Sequence, residues 1–158
     1  MMNITPETIR AIDLTTIETT SFKGFYVGCI VLTKDNKIML QQRPSNWRTF
    51  PDCLATFGGH IEANEDPIAA VVRELKEELG AKVIPTELIS FGAIAEAVNN
   101  YSELIYVYFW HDKQGTITGC YECEAKYYDN CAAALAHTKI MADVRWLLMK
   151  CKKLRLVV

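Results

Sequence analysis

The chain has 158 residues, a length that fits one domain with a substantial core. Half of its residues are hydrophobic and 23% are charged, which excludes a disordered segment. Seventeen basic and nineteen acidic side chains give a net charge of −2, which argues against a nonspecific nucleic-acid binder but not against a phosphorylated small molecule whose charge a cation offsets. No apolar run is long enough to cross a membrane, and Met1 to Arg10 lacks a basic head followed by an apolar stretch, so the expectation is a single domain over 1–158 in the cytoplasm. In that compartment the six cysteines are expected as buried free thiols. Cys120 and Cys123 form a CxxC pair without the second half that a zinc site needs.

Thr5-Pro6-Glu7 predicts a capped short helix. Phe25 to Leu32 is rich in β-branched and aromatic residues and predicts a strand. Asp35-Asn36 predicts a turn and Lys37 to Gln42 its hairpin partner. Residues 43–57 have little periodicity and carry Pro44 and Pro51, so they are expected as mostly loop. Gly58-Gly59 marks backbone that needs unusual dihedrals or close approach.

Asp66-Pro67 then opens a predicted helix that runs to Leu79 and stops at Gly80. Ile68, Val71, Val72, Leu75 and Leu79 share one face at helical spacing and are expected against a sheet. Strands are predicted over Glu87 to Val98, Glu103 to Trp110, Thr116 to Thr118 and Tyr121 to Lys126, with a turn at Asn99-Asn100. Ala132 to His137 and Met141 to Lys152 predict helices, the second with Val144, Trp146, Leu147, Leu148 and Cys151 on its apolar side. Strict βαβ repetition is absent, so the order fits an α/β fold with a mixed sheet and helices on its faces.

The chemically informative stretch is GHIEANEDPIAAVVRELKEELGA, Gly59 to Ala81. Glu74, Glu77 and Glu78 fall within an arc of about 100° on the predicted helix, beside the apolar stripe. Like charges at this spacing repel, and a helix gains nothing from them by itself. Hard divalent cations want carboxylate oxygens, and Mg²⁺ combines one or two with waters and substrate phosphates. The cluster therefore makes chemical sense as a metal site for a polyphosphate. Gly58 and Gly59 offer backbone carbonyls, Glu65 can hold the loop ahead of the helix, and Arg73 can hold a carboxylate and offset the clustered charge.

These residues resemble the Nudix box: Gly, five residues, Glu, seven residues, Arg-Glu, an aliphatic, any residue, Glu-Glu, any residue, Gly and an aliphatic. Gly59, Glu65, Arg73-Glu74, Leu75, Glu77-Glu78 and Gly80 stand at matching spacing. Ala81 is smaller than the usual final aliphatic, and Phe57 occupies a position that is often proline. The resemblance implies an α/β/α sandwich around a mixed sheet, and Mg²⁺- or Mn²⁺-dependent hydrolysis of a nucleoside diphosphate linked to another moiety. It assigns Glu77 and Glu78 as leading metal ligands with the carbonyl of Gly58 or Gly59, and Glu74 as a ligand or the base. Glu65 and Arg73 become supports.

Many members add an acidic group from outside the box. Glu122 and Glu124, aimed by alternation at one face of their predicted strand, are the leading candidates, ahead of Glu96 and Glu103. Tyr26, Trp47, Phe50, Tyr101 and Tyr127 are candidates for stacking on a nucleobase. His60 is a candidate phosphate contact or proton carrier. The expected partner is a small nucleotide, with nucleoside triphosphates, oxidised ones included, ahead of ADP-ribose or nucleotide sugars, and neither nucleic acid nor membrane. The family is often dimeric, and Leu104 to Trp110 would serve as core or interface. Two other readings differ in class. Isopentenyl diphosphate isomerases share the fold and often read Gly-His as Gly59-His60 does, with Cys53 the cysteine such chemistry would need. A catalytically silent sensing module would be expected to have lost part of the glutamate set that is intact here.

Overall fold

A computed structural model describes residues 8–158. The helix expected at Thr5 to Glu7 lies outside the described residues. Eight strands form one mixed sheet: β1 Ile9–Ile12, β2 Gly24–Leu32, β3 Ile38–Gln42, β4 Leu54–Ala55, β5 Phe57–His60, β6 Ile89–Glu96, β7 Glu103–His111 and β8 Glu124–Tyr128. The helices are α1 Pro67–Leu79, α2 Cys131–Leu135 and α3 Ala142–Lys153. Among them no helix is long and apolar enough to cross a membrane.

The main path runs β1-β6-β7-β2-β3-β4, with β5 paired to β2 and β8 to β3. Only β2 and β7 run parallel, over nine register pairs from Gly24↔Glu103 to Leu32↔His111; the other strand pairings are antiparallel. Strand β2 changes partner along one edge: Tyr26 to Cys29 face β5, whereas Val31 and Leu32 face β3. That divergence opens the sheet at the middle of β2.

Alternation along the strands builds two cores. Val27, Cys29, Val31, Tyr108 and Trp110 pack with Ala70, Val71, Leu75 and Leu79 of α1. Ile30, Leu32, Val107 and Phe109 pack on the opposite face with Cys131 and Ala134 of α2 and Val144, Leu147, Leu148 and Cys151 of α3. The result is the expected three-layer sandwich. Because β7 lies between β6 and β2, the apolar run from Leu104 is core, with Leu104, Val107 and Trp110 almost fully buried.

Several expectations are corrected. Ile68 is 43% exposed, since it is the second residue of α1, in the first turn, where the helix has not yet reached the sheet. Leu54–Ala55 is a strand inside the stretch expected as loop, paired with Gln41 and Gln42. Thr116 to Thr118 is not a strand. Asp112 accepts from the Thr116 and Ile117 amides at 2.9 and 3.0 Å, and Thr118 N–H donates to Leu79 O, so side-chain and helix-end bonds replace a ladder. The last strand starts at Glu124 rather than Tyr121. All six cysteines are free: Cys29, Cys131 and Cys151 buried, Cys53, Cys120 and Cys123 half-buried.

Candidate active site

Helix α1 begins at the Asp66 cap, whose carboxylate accepts from Ala69 N–H at 2.8 Å, and ends at left-handed Gly80. Leu75 and Leu79 anchor it on the sheet, and this rotation carries Glu74 and Glu78 under β5. Both are buried, while Glu77 is half-exposed on the outer side. The triplet therefore straddles the edge of the apolar stripe rather than lying beside it.

Strand β5 makes this burial feasible. Gly58 has φ +150°, and a Cβ there would collide with the Val27 carbonyl; a Cβ on Gly59 would stand 2.6 Å from Glu74 Oε1. Two residues without side chains let the β5 backbone close onto the helix. Gly58 N–H donates to Glu78 Oε2 at 2.9 Å. Burial, then the charges of Glu74 and Glu122, push the Glu78 carboxyl up to about 8, against hydrogen bonds from Gly58 and Gln41. Burial also raises Glu74, and Glu77 and Glu122 add to this while Arg73 opposes it.

Arg73 is the hub of the network. Its Nε and Nη2 grip Glu65 in a fork at 2.7 and 2.9 Å, Nη1 reaches Glu74 at 2.9 Å and Glu77 at 3.3 Å, and Nη2 also donates to His60 O at 3.0 Å. Glu65 accepts from Glu62 N–H as well, and Arg73's hydrogen bonds hold its carboxyl down to about 2. The helix, the loop ahead of it and the end of β5 are thereby tied to one guanidinium.

Beside these residues lies a cleft of about 220 Å³, in the gap where β2 changes partner. Gly58, Gly59, Glu78 and Glu122 line one side, and Gln41, Thr56, Met141 and Asp143 another. Glu122 sits in the bend before β8 and faces the cleft, whereas Glu124, already in the strand, is exposed and pairs with Lys126 at 3.1 Å. The shifted strand start separates two residues that alternation had put together. Glu96 is buried at the end of β6, and Glu103 accepts from Asn99 at 2.9 Å.

Of the aromatic candidates, Tyr26 and Trp47 line the cleft. Trp47 stacks under Arg43 at 4.4 Å, and Tyr26 meets His60 edge-on at 4.8 Å. Phe50, Tyr101 and Tyr127 are not among its lining residues; Tyr101 lies under Arg10 at 3.8 Å. His60 is exposed, with Nδ1 2.9 Å from Ile61 O. Gln41 and Asp143 were missed by the sequence reading. Gln41 stands as a polar residue inside an apolar strand, a usable signal, whereas nothing local marks Asp143 at the start of α3.

Among the described residues no three carboxylate, thiol or imidazole groups converge as a ready-made cage. The glutamates take Arg73 and the Gly58 amide as partners. The donor set suits a hard divalent cation: the charges of Glu74 and Glu122 oppose that of Glu78, Glu78 and Glu122 line the cleft, and the donors are all oxygen. Glu74, Glu77, Glu78, Glu122 and the carbonyls of Gly58 and Gly59 could hold such an ion.

The NUDIX domain family matches residues 23–146. CTP pyrophosphohydrolase of Escherichia coli (strain K12) is 30% identical over 125 residues, 77% of this chain and 87% of that protein. ADP-ribose pyrophosphatase of Methanocaldococcus jannaschii is 48% identical over 50 residues, 32% of this chain. The matched region spans only 28% of that archaeal protein and 23% of the Danio rerio m7GpppN-mRNA hydrolase NUDT17. The MutT protein from Methanosarcina mazei Go1 shares the fold, with a TM-score of 0.68 at 17% identity over 84% of this chain and 94% of that one. Fold and box together define the class as a Nudix-type α/β/α sandwich. The chain belongs to the Nudix family.

Proposed function

We propose that this chain is a divalent-cation-dependent pyrophosphohydrolase that cleaves a nucleoside diphosphate linked to another moiety, with nucleoside triphosphates, oxidised ones included, as the favoured substrates. The observation that carries the reading is the buried Glu78 on the wall of the cleft, whose carboxyl is pushed up by burial and then by the charges of Glu74 and of Glu122, itself a cleft residue. The E. coli relative named as a CTP pyrophosphohydrolase, matched over most of its length, supports the triphosphate preference. The archaeal relative named as an ADP-ribose pyrophosphatase supports the second reading, a nucleotide-sugar or ADP-ribose substrate.

A bound Mg²⁺ or Mn²⁺ would neutralise phosphate oxygens and lower the pKa of water. Glu77 and Glu78 would hold it with a carbonyl of Gly58 or Gly59. Glu74 would be a further ligand or take the proton of the attacking water. Glu122 supplies the acid from outside the box in preference to Glu124, which faces solvent beside Lys126. Arg73 and Glu65 fix the helix and loop that aim these groups. Trp47 and Tyr26 offer aromatic surface to a base.

A phosphate-release screen with Mg²⁺ or Mn²⁺ tests this, using nucleoside triphosphates, 8-oxo-dGTP, ADP-ribose, nucleotide sugars and dinucleoside polyphosphates, with phosphatase coupling. Preferred turnover of a triphosphate is expected. Preferred turnover of ADP-ribose would transfer the assignment to the second reading. Silence from folded, metal-binding protein would overturn hydrolysis and favour an isomerase or a sensing module.

A further inference from the structure

A larger cavity, about 510 Å³, lies away from the cleft, between the turn Pro85–Glu87, the paired ends of β6 and β7, and the tail beyond α3. It is reached along β7 from Ile105, which lines the cleft, to Phe109, about 13 Å farther at the rise of a strand. Its apolar floor is Ile89, Phe109 and Leu156, and its polar wall carries His111, Lys113 and Arg155.

Three observations coincide there. Lys113 and Arg155 form no ion pair among the described residues, although Glu87 lines the same cavity; the Glu87 carboxylate accepts instead from Ile84 N–H at 3.3 Å. The His111 ring makes no hydrogen bond among the described residues, and its Nε2 is closed off from solvent, so no internal bond fixes the ring. Arg155 has φ +58°. It closes α3 as the left-handed residue of a Schellman motif, with Leu156 N–H donating to Cys151 O at 2.9 Å and Arg155 N–H to Lys152 O at 3.0 Å. Glycine is the favoured residue in that conformation, and an arginine there carries backbone strain. Strain at a position that brings a free guanidinium to a cavity points to a use for the side chain.

We propose that this cavity is a second ligand site, for a small organic anion whose phosphate or carboxylate head meets Arg155 and Lys113 and whose apolar body lies on Ile89 and Leu156. Arginine and lysine supply charge-assisted donors for such a head, and His111 adds a polar group at the same wall. The site is independent of the hydrolase reading, because it shares no lining residue with the cleft.

NMR titration of the isotopically labelled full chain tests it, with phenyl phosphate, benzoate and inorganic phosphate as separate probes and the His111 ring and Arg155 side chain as reporters. Saturable shifts are expected with phenyl phosphate or benzoate, which also tells the two heads apart. Inorganic phosphate should bind about tenfold more weakly for lack of the apolar body. Arg155→Gly and Lys113→Ala should each weaken binding about tenfold. Arg155→Gly should at the same time raise the melting temperature by relieving the left-handed strain, which separates lost binding from lost folding. Absence of saturable shifts at His111, shifts confined to Tyr26 and Gly58 at the cleft, or unchanged affinity in both variants would overturn the proposal.

Discussion

Two pairs of buried acids flank the cleft, and they are built differently. Glu74 and Glu78 come from one helix, and each has a strong partner: Arg73 for the first, the Gly58 amide for the second. Glu96 and Asp143 come from β6 and α3, and neither has an ion-pair partner among the described residues. Asp143 makes do with Val144 N–H at 2.8 Å and Thr56 Oγ1 at 3.4 Å. Burial, then the charge of Asp143, pushes Glu96 up to about 8, and burial likewise raises Asp143. In the first pair an arginine and a backbone amide hold the oxygens in place. The second pair has no such partner, and burial raises the proton affinity of both its acids.

The largest expected effect tests the first pair. Glu78→Gln should lower Mg²⁺-dependent turnover by at least about a hundredfold, as loss of a metal ligand does. Its cation-free melting temperature should not fall, because the amide keeps an acceptor for Gly58 N–H and loses the charge that Glu74 and Glu122 oppose. Full activity in this variant would break the assignment. Chelation by EDTA should likewise abolish turnover of the wild type, with recovery on adding Mg²⁺ or Mn²⁺.

Arg73→Lys should weaken the apparent Mg²⁺ affinity about tenfold, because a point charge cannot reproduce the fork that aligns Glu65 and Glu74. Affinity measured by calorimetry, unchanged from wild type, would reduce Arg73 to a surface charge.

A smaller effect separates the pairs by pH. Acids whose carboxyls are raised in the fold, as Glu78 and Glu96 are to about 8, hold protons that the unfolded chain releases near 4.5. Their stabilising contribution is therefore complete below about 4.5 and is lost as pH rises toward 8. Glu65, held down to about 2, has the opposite sign: its contribution is present above about 4.5 and lost as pH falls. Cation-free protein should thus melt at lower temperature at pH 8 than at pH 5. Glu96→Gln should recover part of that difference, about 2–4 °C at pH 8, without restoring or removing cation binding. No gain at pH 8 would show that Glu96 ionises freely.

The smallest effect concerns the helix face. Ile68→Lys should change stability by no more than about 0.5 kcal/mol, since Ile68 is exposed despite its place in the apolar pattern. A loss of several kcal/mol in a denaturant titration would put Ile68 back against the sheet.

Much of the first pair was legible because its parts are local. Helical spacing from Asp66 to Gly80 fixes which residues rise together, and Gly59, Glu65 and Arg73 sit close enough in sequence to act on the same turn. The strands β2, β6 and β7 were legible from β-branched and aromatic runs, with ends displaced by one or two residues. Glu122 and Glu124 show where locality ends. Their alternation assumed a strand from Tyr121, yet Tyr121 N–H donates to Glu78 O at 2.9 Å, which ties that residue to the helix end and delays the strand.

The sequence by itself determined the box, its helix and the scaffold class, because repulsive carboxylates at fixed helical intervals beside a glycine pair have a chemical reason that short-range geometry expresses. Only the tertiary structure decided the rest of the cleft. The switch of β2 from β5 to β3 brings Gln41, Thr56, Glu122 and Asp143 from four separate segments to one gap. No spacing along the chain encodes such a meeting, since it follows from how two cores bury their apolar faces against one sheet.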